Sequence, residues 1–231
     1  MGTEVTSSAR FYDLLAWLHA NKNRLLLVLA GLAVAAFVVA LMIWRSAQRE
    51  LRANESLSNA LVTKTSSRQA DAVSADAYLK VAREFGGTSA ASRALLMGAV
   101  SLFVEGKHAE AQAQFTAFQT EYPDSPLAPE ASMGIAACLE AQGKSADAAA
   151  KYQEVMSRYP RDHNVGQAKL ALALIYENQN KPEQAQKIYA ELTQGTAYSS
   201  SGSEAAMRLE DLLLKHPNLS PTNTSTLKTR P

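Results

Sequence analysis

Residues 106–123 read GKHAEAQAQFTAFQTEYP, and residues 143–160 read GKSADAAAKYQEVMSRYP. The second stretch is the first moved along by 37 positions. Gly-Lys opens both and Tyr-Pro closes both. A weaker third copy starts at Asn180-Lys181. Ala111, Ala148 and Ala185 share the spacing, as do Phe115, Tyr152 and Tyr189, and Phe118, Val155 and Leu192. Upstream, Ala99, Ala136 and Ala173 keep the same period, with Leu102, Leu139 and Tyr176. A fixed period of this size means stacked supersecondary units, none of which can bury its apolar face alone.

Each unit reads as two helices. The first runs over 91–105, 128–142 and 164–178, and the second over 108–121, 145–158 and 182–193. The Gly-Lys or Asn-Lys pair turns the chain between them. Pro123 and Pro160 end the second helix because proline cannot donate to the helical ladder. Abundant alanine, with only 11 glycines and 8 prolines in 231 residues, supports helix throughout. Small residues such as Ala99 and Ala111 mark the close approach of paired helices. The ring of Phe115 or Tyr152 fills the space toward the next unit. Ala148 is placed in the tight contact and Lys151 outside it.

This pattern resembles the tetratricopeptide repeat. Leu95, Ala99, Leu102, Ala111, Phe115 and Pro123 carry it in the first unit. Ala136, Leu139, Ala148, Tyr152 and Pro160 carry it in the second, and Ala173, Tyr176, Ala185 and Tyr189 in the third, where Ala197 stands in the proline's place. Three such repeats are expected over 87–197. Tyr78, Val81 and Phe85 lie one period before Phe115, Phe118 and Tyr122, so 45–86 reads as a helical stalk merging into a degenerate first repeat. Residues 198–216 read as a capping helix, with its core at Ser203–His216. Residues 217–231 have no periodicity and are expected to be disordered.

A different signal stands near the N-terminus. Residues 25–44, LLLVLAGLAVAAFVVALMIW, contain no charge and no amide, with Arg24 before and Arg45 after. A helix of that length spans about 30 Å, the thickness of a bilayer's hydrocarbon. Signal-peptide cores are shorter and end in small residues; this one ends in Met42-Ile43-Trp44-Arg45. The expected fold class is therefore all-α, a single transmembrane helix followed by an α-solenoid. Residues 1–24 form an arm in which Phe11–Leu18 is amphipathic and suits a membrane surface. Gly31 and Ala35 form a small-residue pair that would suit a homodimer through the membrane helix. The charges beside the span balance, three on each side (Arg10, Lys22, Arg24 against Arg45, Arg49, Arg52), and give no orientation.

Chemistry-bearing patterns are sparse. The four histidines, His19, His108, His163 and His216, stand at no metal-ligand spacing. Gly86-Gly87-Thr88-Ser89 has no lysine and follows a helix, so it reads as a linker. No nucleophile and base are paired, and neither catalysis, a cofactor nor a metal is expected. A net charge of +1 gives no case for nucleic acid. The one cysteine, Cys138, sits in an apolar helical pattern and reads as a small core residue.

The repeat resemblance implies a groove for a protein segment, lined by first-helix side chains. Carried over, its positions are Arg93, Leu96, Val100 and Phe103, then Glu130, Met133, Ala137 and Glu140, then Gln167, Leu170, Leu174 and Glu177. This set is apolar at its centre and acidic to one side. It lacks the basic cluster with which some relatives clamp a C-terminal carboxylate. In architecture and leader (FYDLLAWLHANKNRLLLVLAG) the chain is also similar to the ancillary Sec translocon subunits that carry a periplasmic tetratricopeptide domain. That resemblance implies a bacterial inner-membrane protein with a cytoplasmic N-terminus and periplasmic repeats. Its partners would be the translocon, secreted clients or periplasmic chaperones. Segments such as EYPDSPLAPEA also look like Tol-Pal coordinator and barrel-assembly repeats. The alternative role is accordingly a scaffold for an envelope complex.

Overall fold

The computed structural model describes residues 17, 19, 21–66, 75–195 and 199–219. All regular structure among them is helical: α1 Lys22–Ser66, α2 Ala75–Glu84, α3 Ser89–Val104, α4 His108–Glu121, α5 Ala128–Ala141, α6 Ser145–Arg158, α7 Asn164–Asn178, α8 Pro182–Gly195, α9 Ser200–Lys215, and a closing 3-10 turn Pro217–Leu219. The chain divides into two compact units, 1–52 and 53–231.

The first unit holds the apolar part of α1, a helix long and apolar enough to cross a membrane. Its large side chains, from Leu26 to Trp44, are exposed. The amphipathic stretch at 11–18 lies outside the described residues apart from Trp17.

In the second unit α3 pairs with α4, α5 with α6, and α7 with α8. Each pair is joined by the same turn. Gly106 (φ +78°), Gly143 (φ +74°) and Asn180 (φ +54°) all take the left-handed conformation. In each, the following lysine N–H reaches back to the first helix: Lys107 to the Leu102 carbonyl, Lys144 to Leu139 and Lys181 to Tyr176, all at 2.9 Å. This arrangement satisfies carbonyls that a helix end leaves open, and it favours glycine, with asparagine as the tolerated substitute. The second helices α4 and α6 stop at Glu121 and Arg158. Tyr122 and Tyr159 leave the helical conformation because each precedes a proline. Thr88 and Ser199 cap α3 and α9 by accepting from the Ala91 and Gly202 N–H groups, each at 3.0 Å.

The core runs along the stack in three clusters. The first joins Ala53, Leu57, α2, α3, α4 and one face of α5 as far as Cys138; the second is built around Ala148, Tyr152 and Val155; the third around Ala185, Tyr189 and Leu192. Ala148 is fully buried. Lys151 is half-buried rather than free, its ammonium 2.8 Å from Glu154. Tyr78 and Val81 of α2 are buried, in register with Phe115 and Phe118. Cys138 is a buried free thiol, pushed up to about 11 by its burial.

The C-terminal end differs from the sequence expectation in two ways. The last helix starts at Ser200 rather than at 198, and it stacks on α7 and α8 as a further first helix would, the place a cap takes at the end of such a row. Ala94, Ala131, Ala168 and Ala205 follow one another at the 37-residue period, and all are fully buried. The sequence alone marks it only as a cap because Glu210 stands where Ala99, Ala136 and Ala173 signal a pair. Residues 217–219 are also ordered, unlike the expected tail: Leu219 packs against the third cluster, and its carbonyl accepts from Gln186 Nε2 at 3.0 Å. Residues 220–231 lie outside the described residues.

Candidate protein-binding groove

The first helices of successive units touch one another: α3 meets α5, α5 meets α7, and α7 meets α9. They form the inner row of the stack. Along it the residues expected in the groove fall into three kinds.

Some present apolar surface. Val100 is 48% exposed, and Val104, one turn on, is 71% exposed. Phe103, Met133, Ala137 and Leu174 are half-buried. The Phe103 ring lies tilted against His108, with centroids 5.0 Å apart. Leu96 is half-buried and also packs on the first core cluster.

Others are already engaged. The Tyr152 hydroxyl donates to Glu140 Oε2 at 2.9 Å, and the Tyr189 hydroxyl donates to Glu177 Oε2 at 3.1 Å. Lys215 Nζ adds a contact to Glu177 Oε1 at 3.4 Å. Burial and the adjacent carboxylates push both phenols well above the ordinary tyrosine range. Glu140 and Glu177 are therefore clamps inside their own repeats. Arg93 is exposed but donates to Asn54 Oδ1 at 2.6 Å, across to the last turns of α1. Leu170 is only 4% exposed and belongs to the third core cluster, because α9 packs against α7 above it. It is not available at the surface of the groove.

Two remain polar, and only the first is open to a ligand. Gln167 is exposed. Glu130 places Oε1 3.8 Å from His163 Nε2, while its Oε2 is buried without a hydrogen-bond partner among the described residues. Sequence reasoning missed Val104 and Glu105. Glu105 ends the row, bonded to Lys107 at 2.9 Å and to the Ala75 N–H at 3.3 Å. Lys107 first, then that N–H, hold its carboxyl below the usual range. Among the described residues no three His, Cys, Asp or Glu side chains gather as a metal site would need.

A family model described as "Tetratricopeptide repeat" matches residues 96–163, and a second of the same description matches 167–194. Residues 96–163 and 167–194 are tetratricopeptide repeats. The fold agrees with solved structures. A tetratricopeptide repeat protein from Parabacteroides merdae superposes with a TM-score of 0.54 at 15% identity, over 73% of this chain and 61% of its own. The chain thus spans less than two thirds of that protein. The nearly identical tetratricopeptide-like repeats of a kinesin light chain from Podosopora anserina give a TM-score of 0.51 at 12% identity, over 76% of this chain and 88% of theirs. At such identities the likeness is one of fold. No curated protein sequence matches the chain. Tetratricopeptide repeats are protein-interaction modules, and the inner row is where this one offers apolar surface.

Proposed function

We propose that residues 25–44 anchor the chain in a bacterial inner membrane, with the repeats on the periplasmic side. The inner row then holds an extended, partly apolar segment of a client protein between the translocon and periplasmic chaperones. The observation that carries this reading is the exposed stripe Val100–Val104, continued by Phe103, Met133 and Leu174. Large apolar side chains left in water along a row of repeats favour a partner that covers them. Of the twelve expected groove positions only Arg93 is basic, and it is occupied by Asn54, so a C-terminal carboxylate is not the feature held. Around Gly31 the surface of the apolar helix is open, which leaves room for the helix pairing its small residues would permit.

The test uses the full chain in its membrane. Val100→Glu and Val104→Glu place a charge where apolar client surface must dock, at positions already exposed, so the stack keeps its melting temperature. Crosslinking to translocating clients should fall at least tenfold. Protease added to spheroplasts should digest the repeats and leave a fragment of roughly the first 50 residues. Undiminished capture by both variants removes the groove, and repeats protected until lysis remove the topology.

A further inference from the structure

Among the described residues the fourth unit has a first helix and no second. In the filled units, Ala99, Ala136 and Ala173 lie buried in the same clusters as Ala111, Ala148 and Ala185 of the paired second helix. Their equivalent in α9 is Glu210, which is exposed, as is Ala206 one turn before it. Beside them an open cleft of about 500 Å³ is lined by Thr193, Ala206, Leu209, Glu210, Leu213 and Leu214. Leu214 is 74% exposed and Met207, beside the cleft, 65%. An end unit normally presents a polar outer face to water; this one presents leucine.

The chain's own continuation does not match the seat. At the places of Ala111, Phe115 and Phe118, one period after α8, it offers Thr222, Thr226 and Thr229. We infer that the open face of α9 binds an amphipathic α-helix of a partner protein, one that carries a lysine or arginine opposite Glu210. Three filled seats of the same register show that this surface geometry accepts a helix. Glu210 selects which helix. A wholly apolar one would strip water from the carboxylate and give nothing back, whereas a basic one pairs with it. A second copy of this chain docking face to face would bring Glu210 against its own copy, a like-charge contact that disfavours self-association. Leu214 and Met207 hold the register of Glu177 and Leu170, so the site adjoins the C-terminal end of the inner row; it does not depend on the function proposed above.

The experiment uses the full chain in nanodiscs and two stapled, fluorescent peptides. One has the sequence of α8, Pro182–Gly195. The other carries Ala185→Lys, which brings an ammonium to the position facing Glu210. Anisotropy titration should show the lysine peptide binding at least tenfold tighter than its parent. Glu210→Lys in the protein should reverse that preference, and Ala206→Arg should abolish binding of both. Both residues are exposed, so the melting temperature should not move. Val100→Glu should leave peptide binding unchanged, which separates this site from the groove. Absence of saturable binding by either peptide, or a lysine preference that survives Glu210→Lys, would overturn the assignment. So would a dimer of the chain alone that Ala206→Arg dissolves, since it would give the face to a second copy.

Discussion

The first repeat and the two that follow fill the same slot in different ways. In the first, Phe115 is buried and its ring lies on Gly134 of the next unit. A Cβ at 134 would come within 2.5–2.6 Å of three ring carbons. The matching groove position is Phe103. In the second and third, the slot holds Tyr152 or Tyr189, Ala171 or Arg208 stands at the position equivalent to Gly134, and the matching groove positions are Glu140 and Glu177. There a hydroxyl–carboxylate bond locks first helix to second. One repeat is held by shape, the others by shape plus a charge-assisted hydrogen bond. The choice also sets the character of the inner row. A repeat without the tyrosine needs no glutamate, so its groove position is free to be apolar, and that is the end at which Val100 and Val104 are exposed.

The comparison breaks most visibly at Gly134. Gly134→Ala should lower stability by about 1–3 kcal/mol, because the buried ring has to move. Phe115→Leu should relieve much of that loss when combined with it, a non-additivity read from thermal melts of the four proteins. Equal cost in both backgrounds would mean that ring and glycine are not coupled.

Next is the lock itself. Tyr152→Phe should cost about 0.5–1.5 kcal/mol by leaving a half-buried Glu140 without its donor. The pair Glu140→Phe with Tyr152→Phe copies the first repeat and should cost less than the sum of its parts, since removing both partners leaves nothing unpaired. If the double variant is the worse one, the two solutions are not interchangeable.

The smallest effect is in pH. Both phenols titrate higher in the folded chain than their ordinary value near 10. Their contribution is therefore complete below pH 10 and drains away as pH rises through it, by about 0.8 kcal/mol per phenol at pH 10.5. Melting temperatures measured from pH 8 to 11 should fall above 10, and Tyr152→Phe with Tyr189→Phe should flatten that fall. A slope unchanged by the double substitution would place the alkaline loss elsewhere.

Most of the solenoid was legible because its markers are local. Gly106-Lys107 and Tyr122-Pro123 bracket a helix whatever surrounds it, and one full copy and one partial copy at the same period fix the register. The groove was less legible because its exposure depends on neighbours. Leu170 has the spacing of a lining residue, but the helix that covers it is thirty positions away. Glu140 and Glu177 look like free acidic surface until the tyrosine twelve residues on is counted with them. That recurrence, glutamate with tyrosine twice and phenylalanine with phenylalanine once, was present in the sequence as a signal. The fourth unit hid behind a single substitution, Glu210 for alanine, at the position that otherwise announces a pair.

Cys138 gives the molecule a clock. It is the chain's one cysteine, buried in the middle of the stack, with its thiol pushed up to about 11. At neutral pH almost none of it is thiolate, and none is in reach of an alkylating reagent while the second repeat is closed. It belongs to the first core cluster, with Phe115 and Phe118, so its labelling rate times the opening of the first and second repeats rather than fraying of α8 and α9. In an oxidising environment the same burial withholds it from mixed disulfides with other thiols.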